Sequence, residues 1–247
     1  MSDGSETVRP SDTNQKDAKA INDPKLPLLD HLVELRRRLI FSVGALLIAF
    51  IVSLYFAGPI FNFLVSPLND LWQGQEGKRL IYTAMHEKFF TDLKVAFFTA
   101  GFLSFPIVVN QVWKFVAPGL YSNEKLAFLP FLIASPVLFF TGGAFVYYLV
   151  LPIAWEFFAG FQQVATGGQI AIELEPKVNE YLALVMRLIF AFGLSFELPV
   201  ILVLLTRSGL VSIELLKQKR RYAFVIAFVA AAILTPPDPL SQFALAI

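Results

Sequence analysis

Three glutamates in this sequence need a chemical explanation, because each lies at or within a segment of apolar residues. Glu34 lies in "HLVELRRRL" (31–39), directly ahead of the first long apolar run. Glu124 follows a Pro-Gly break in the loop before the third run, and Glu197 lies inside the fourth. Carboxylates accept hydrogen bonds and attract cations. Recognition of a cationic ligand is therefore the chemistry that these residues could perform.

Glu34 and Glu124 also have simpler explanations. Glu34 precedes Arg38 by four residues, and an ordinary surface pair of this kind contributes about 0.3–0.5 kcal/mol. Ser122 or Asn123 can cap the third helix, which would place Glu124 in its first turn, where the helix dipole favours a negative charge by about 0.3–1 kcal/mol. Two carboxylates on one membrane face could nevertheless hold a cationic ligand together, so both interpretations stay open.

Glu197 is harder to explain as a surface charge. A charge at the centre of a bilayer costs at least about 2.5–3.5 kcal/mol. Arg187 lies about 15 Å away along the helix axis and on another face, so the two cannot pair directly. Glu197 must therefore face the bundle interior, a water-filled cavity or a partner, or be protonated. Asp238, in "LTPPDPLSQ" (234–242), has the chemistry of a plain turn.

Several classes of chemistry are excluded or disfavoured. Cysteine is absent, which excludes disulfides, thiolate nucleophiles and cysteine metal sites. The sequence has no Gly-x-x-x-x-Gly-Lys-[Ser/Thr] loop, no Gly-x-Gly-x-x-Gly after a strand and no His-Glu-x-x-His motif. His31 and His86 are predicted on opposite sides of the membrane. We therefore predict no enzyme activity, no metal, no cofactor and no nucleic-acid partner.

The elements that must position these residues are membrane helices. The chain has 247 residues, of which 56% are hydrophobic and only 16% charged, whereas soluble domains average about 25% charged. Residues 1–25 are polar and predict a disordered cytoplasmic tail, and 26–247 predict a single transmembrane domain. A crossing needs about 20 apolar residues, so the sixth segment predicts an incomplete span. The predicted spans are 39–57, 95–113, 128–150, 182–206, 222–235 and 239–247.

Basic residues in the loops predict the orientation. One side of the predicted membrane carries 11 and the other carries 4, which places the N-terminus in the cytoplasm. The first group is Lys25, Arg36, Arg37, Arg38, Lys114, Lys125, Arg207, Lys217, Lys219, Arg220 and Arg221, and the second is Lys78, Arg79, Lys88 and Lys177. Prolines inside the apolar segments predict bent helices, because each removes an amide donor.

Four motifs in order resemble the TatC family, the multispanning subunit of the twin-arginine protein translocase. They are "HLVELRRRL" (31–39), "QVWKFVAPGLY" (111–121) followed by Glu124, "FGLSFELPV" (192–200) and "LTPPDPLSQ" (234–242). The similarity covers residues 26–247. It implies an all-α integral membrane protein, a bundle of six bent transmembrane helices with a concave, glove-like shape.

The resemblance also implies a function and a site. The chain would be the receptor that binds twin-arginine signal peptides of folded proteins, whose export is driven by the proton-motive force. The implied binding residues are Glu34, Arg36, Phe115 and Glu124. Polar contacts within the membrane, including partner contacts, would involve Glu197, Asp238 and Gln242.

The implied partners are signal peptides, single-span TatA and TatB subunits, membrane lipid and further copies of the chain. The implied location is the inner membrane, as a multi-pass protein. Two other functional classes are a solute transporter and an intramembrane enzyme. A proton-coupled solute transporter would use Glu197 as its ion site, and would have an inverted repeat that we do not find. An intramembrane enzyme would need a nucleophile–base pair, and no such pair is evident.

Overall fold

The computed structural model describes residues 25–73, 77–120, 125–163, 170, 173–207, 209, 211–235 and 239–246, and these residues are almost wholly helical. The α-helices, in chain order, are α1 (Lys25–Tyr55), α2 (Ala57–Leu71), α3 (Glu87–Leu120), α4 (Lys125–Phe145), α5 (Leu151–Ala159), α6 (Val178–Phe196), α7 (Leu198–Arg207), α8 (Ile213–Leu234) and α9 (Pro239–Ala246). A π-helical turn, Val146–Val150, joins α4 to α5. The predicted tail lies outside the described residues, except for Lys25.

The first two long helices begin earlier than the apolar runs suggest. α1 begins at Lys25 rather than 39, and α3 begins at Glu87 rather than 95. The apolar stripe of α1 continues ahead of the first run at every third or fourth residue, which lets one helix include both. α1 packs along α3 and is antiparallel to it. This is shown by the contacts of His31 with Phe115 and of Phe50 with Phe97.

The stretch "PIFNFLVSPLNDLW" (59–72) forms α2 from its third residue to its C-cap, Trp72. Its amphipathic sequence suggests a helix along the membrane surface, but one of its faces is in the protein core: Leu64 and Leu68 are almost fully buried. Two tyrosine hydroxyls fix it, since Tyr147 donates to the Phe63 carbonyl at 2.7 Å and Tyr181 donates to the Leu64 carbonyl at 3.1 Å. α2 therefore supports the bundle from within.

Prolines explain two irregular points in the long helices. Pro152 has no amide hydrogen, and the π turn Val146–Val150 lies immediately before α5, where that proline is one of the first residues. Pro199 likewise cannot donate to the carbonyl one turn back, and the fourth long segment is interrupted at Glu197 between α6 and α7. These are local bends in otherwise continuous helices.

α4 and α6 approach each other closely through glycines. A Cβ added at Gly142 would lie 2.7 Å from the Phe192 carbonyl oxygen, and one added at Gly193 would lie 2.7 Å from the Phe139 ring. The main apolar core lies beside this contact and joins α2, α3, the π turn, α5 and α6. Its most buried members include Leu68, Val95, Val146, Leu151, Leu182, Val185, Leu188 and Phe192.

The loop segments 77–86 and 173–178 meet at one end of the bundle, which we call the capped end. The Val178 amide donates to the Ile81 carbonyl at 2.9 Å, and the Ile81 amide donates to the Pro176 carbonyl at 3.2 Å. Lys78 reaches Gln162 at 2.8 Å. The start of α1 and the end of α3 lie at the opposite end, which we call the rim.

Within the described residues, four stretches of helix are long and apolar enough to cross a membrane: His31–Tyr55, Glu87–Phe115, Pro130–Ala159 and Val178–Arg207. α8 is capped by Ser212, whose Oγ accepts from the Leu215 amide at 3.1 Å, and its first half carries four basic residues. α9 has eight residues. The all-α membrane-protein fold and its bent helices are therefore as predicted.

Candidate functional site

The rim site is built by the start of α1 and the end of α3. The His31 imidazole stacks on the Phe115 ring, with ring centroids 4.2 Å apart and an interplanar angle of 17°. An offset aromatic pair of this kind contributes about 0.5–1.5 kcal/mol beyond simple burial. The stack joins two sequence motifs that are separated by most of two helices, and it fixes Glu34, one turn after His31, at the rim.

Glu34 forms an ion pair with Arg38 and remains partly exposed. Arg38, one turn further along α1, donates its Nε to Glu34 Oε1 at 3.0 Å and its second guanidinium nitrogen to the same oxygen. The Glu34 side chain is 38% exposed and that of Arg38 20%. Because both bonds use Oε1, Glu34 Oε2 can accept a hydrogen bond from a further donor.

The other residues predicted at the rim are Arg36, Phe115 and Glu124. Phe115 is half-buried against His31, whereas Arg36 is exposed and makes no ion pair with any residue that the structure describes. Glu124 lies outside the described residues, in the segment between Leu120, the last residue of α3, and Lys125, the first residue of α4. The structure thus brings Glu34 and Phe115 to one end of the bundle and does not describe Glu124.

Glu197 lies in the bundle interior, where α3, α4 and the α6–α7 break converge. It is 4% exposed. Ser135 donates its Oγ to Glu197 Oε2, and Trp113 Nε1 lies 3.4 Å from the same Ser135 Oγ. Glu197 Oε1 is buried and accepts no hydrogen bond from any described residue. A carboxyl group with one neutral partner and one open oxygen is chemically suited to bind a further donor.

The residues predicted near the last helix are not brought to Glu197. Asp238 lies outside the described residues. Gln242 is half-buried on α9, next to the buried Ser241, and makes no hydrogen bond to Glu197. In the part of the chain that the structure describes, no three His, Asp or Glu side chains are grouped as metal ligands.

Sequence reasoning missed His31, Ser135 and Trp113 as parts of these sites. A signal for Ser135 was present, since it is a polar residue directly before Pro136 in the middle of an apolar segment. Proline there weakens the local backbone hydrogen bonding, and polar side chains commonly accompany such points in membrane helices. His31 and Trp113 gave no such signal, because their contacts join residues far apart in sequence.

Comparison with known proteins identifies a single family. The family model described as Sec-independent protein translocase protein (TatC) matches residues 30–247. A Sec-independent protein translocase protein TatC from Magnetococcus marinus is 52% identical over 225 residues, which are 91% of this chain and 80% of the relative. The protein of that name from Escherichia coli K12 is 41% identical over 221 residues, 90% of this chain and 83% of the relative.

Solved structures agree with the sequence relatives. A crystal structure of the twin-arginine translocase receptor TatC in DDM superimposes with a TM-score of 0.74 at 36% identity, covering 87% of this chain and 92% of the other. A second crystal structure of that receptor gives a TM-score of 0.72 at the same identity, covering 87% and 91%. The similarity therefore extends over sequence and fold together.

Proposed function

Because this chain belongs to the TatC family of Sec-independent protein translocase proteins, it is a protein-translocase subunit, and we propose that its rim binds the paired arginines of twin-arginine signal peptides. The observation that carries this proposal is the stack of His31 on Phe115, which fixes Glu34 beside the end of α3. Glu124 follows that helix end by four residues in sequence. The two carboxylates would each receive one guanidinium of the signal.

The chemistry of Glu34 supports binding that is selective and reversible. Arginine presents a planar fork of donors that a carboxylate accepts in fixed geometry, which the lysine ammonium does not reproduce. A hydrogen bond to a charged group contributes about 1.5–3 kcal/mol. Since Arg38 already occupies Oε1 of Glu34, an incoming guanidinium would bind Oε2 or displace Arg38. Exposed Arg36 keeps this helix end at the membrane surface.

The test is binding of a labelled signal peptide to the purified protein in detergent. The Arg-Arg peptide is expected to bind better than its Lys-Lys counterpart, and Glu34→Gln or Glu124→Gln is expected to weaken Arg-Arg binding by about 10- to 150-fold. Glu214→Gln is the matched control, because Glu214 is an exposed carboxylate in the first turn of α8. Equal binding of both peptides, unchanged in the glutamine variants, would contradict the proposal.

The orientation and location belong to the same proposal. The rim, with Arg36–Arg38 at the start of α1, faces the cytoplasm of an inner membrane, because the basic loop residues concentrate on that side. The protein draws on the proton-motive force and has no catalytic role of its own. Accessibility of a single introduced cysteine to a membrane-impermeant reagent distinguishes the two orientations. The variants are Ser2→Cys and, in the capped-end segment, Tyr82→Cys. Labelling at Ser2 from outside the intact cell would reverse the assignment.

Single-span TatA and TatB subunits are the proposed protein partners, with further copies of this chain. Glu197 Oε1 is the group that could accept a hydrogen bond from a partner span or from water, while Asp238, which directly precedes α9 in sequence, and Gln242 on α9 would supply further polar groups. Glu197→Gln is expected to reduce co-purification of the partner subunits. Unchanged recovery and unchanged export would leave Glu197 with an internal structural role.

The solute-transporter alternative is set aside, because the family comparison identifies a translocase.

A further inference from the structure

An apolar groove runs along the outside of the bundle towards the capped end. It has a volume of about 930 Å³ and lies between α3 and α6, with Phe50 of α1, Leu198 of α7 and Leu234 of α8 completing its walls. Its surface is mainly apolar, and aromatic rings contribute strongly to it. Phe97, for example, is 60% exposed there. The groove contributes nothing to the rim site proposed above.

Two cations border this groove and form no ion pair with any carboxylate that the structure describes. Lys94 donates its Nζ to the neutral Asn179 Oδ1 at 2.8 Å, and Arg187 is exposed and forms no ion pair within the described part of the chain. Among the nearby carboxylates, Asp92 pairs with Lys88 and Glu180 pairs with Lys177. Glu87 accepts the Thr83 and Asn179 amides and lines a neighbouring pocket together with Lys94. Lys94 and Arg187 form no ion pair with a described carboxylate, so both can bind an anionic group.

The dimensions match one leaflet of a bilayer. Arg187 and Leu198 are eleven residues apart on α6 and α7, which is about 16 Å along the axis. Half of the hydrocarbon core of a bilayer is about 15 Å. Lys94 lies about two turns into α3 from Glu87, at the same end as Arg187. A ligand with an anionic head at Lys94 and Arg187 would thus place an apolar tail along the rest of the groove.

We propose that this groove binds one anionic phospholipid, whose headgroup phosphate accepts hydrogen bonds from Lys94 and Arg187 while an acyl chain lies against the aromatic wall. Basic pockets between membrane helices bind anionic headgroups for this reason. A zwitterionic lipid brings its own ammonium group to the two cations and is bound less well. The site is separate from signal-peptide recognition, so its loss and the loss of Glu34-dependent peptide binding are independent results.

The experiment uses the full chain in nanodiscs of equal phosphatidylglycerol and phosphatidylcholine, followed by native mass spectrometry of the lipids retained in detergent. The unchanged protein is expected to retain phosphatidylglycerol over phosphatidylcholine. The Lys94→Gln/Arg187→Gln double variant is expected to lose that preference by on the order of tenfold. Lys88→Gln is the matched control, because Lys88 is on the same helix but already pairs with Asp92.

A second variant separates loss of the site from loss of the fold. Lys94→Arg/Arg187→Lys keeps both charges and is expected to retain the lipid preference. Equal retention of the two lipids by the unchanged protein would overturn the proposal, as would a double glutamine variant that retains phosphatidylglycerol normally. If the double glutamine variant keeps its lipid preference but loses co-purification of a partner subunit, the two cations bind a carboxylate of that partner and the lipid assignment is wrong.

Discussion

Glu34 and Glu197 are both carboxylates on membrane helices, but their surroundings are opposite. The Glu34 side chain is 38% exposed and pairs with a guanidinium, whereas Glu197 is 4% exposed and receives a hydrogen bond from a neutral hydroxyl. Arg38 can rotate away from Glu34 and be replaced by another cation. The Ser135 hydroxyl, by contrast, lies on α4 and is fully buried.

The difference separates a carboxylate whose partner can exchange freely from one whose partner also supports the fold. An exposed ion pair contributes about 0–1 kcal/mol, so Glu34 can exchange partners at little cost to the fold. A buried polar group that loses its partner costs about 1–3 kcal/mol. Substitutions at the rim should therefore change ligand binding in a folded protein, whereas substitutions around Glu197 should change the stability of the fold first.

The largest effect on stability is expected where α4 meets α6, because that contact holds Ser135 beside Glu197. The Gly142→Ala substitution would place a Cβ 2.7 Å from a backbone oxygen, which cannot move as a side chain does. We expect a loss of about 1–3 kcal/mol in the free energy of unfolding. Gly44→Ala is the control, since a Cβ there meets no atom within 4 Å. Thermal unfolding in detergent compares the two, and equal midpoints would contradict the close packing.

The second-largest loss of stability is expected from removing the hydrogen bond between Ser135 and Glu197 inside the bundle. Ser135→Ala leaves both Glu197 oxygens without a described partner and is expected to lower the free energy of unfolding by about 1–2 kcal/mol. Glu197→Gln keeps an acceptor for Ser135 and removes the charge, so it should cost less. Thermal unfolding midpoints of the two single variants are compared with that of the unchanged protein. An unchanged midpoint in Ser135→Ala would show that the bond does not stabilise the fold.

The arrangement of these sites could be predicted only in part from the sequence. Apolar periodicity, loop charges and prolines are local signals, so the helices, their bends and the position of Glu197 inside the fourth apolar run were predictable. The bonds from Tyr147 and Tyr181 to α2 were not, and the amphipathic pattern of α2 alone suggests a surface helix. The pair of Ser135 and Glu197 joins residues 62 apart in sequence. Such contacts depend on how helices pack, which a single sequence does not encode in any local pattern.

A moderate effect is expected at the aromatic stack of the rim. His31→Ala removes the contact with Phe115, worth about 0.5–1.5 kcal/mol, and leaves the start of α1 less firmly attached to α3. We expect the affinity for the Arg-Arg peptide to fall by about two- to tenfold. His31→Phe preserves a stacked ring and serves as the matched control. If both variants bind alike, the stack does not position Glu34.

The smallest effect, and the sharpest test of the exposed pair, is at Arg38. This residue occupies Glu34 Oε1, so it competes with any incoming guanidinium. Arg38→Gln should change the free energy of unfolding by less than about 1 kcal/mol, because surface pairs contribute little. The same substitution should strengthen Arg-Arg peptide binding by a few-fold, and Glu34→Gln in the same background should abolish that gain. Titration of the peptide at two salt concentrations measures these changes in affinity. Weaker binding in Arg38→Gln would mean instead that Arg38 orients Glu34 for its ligand rather than competing for it.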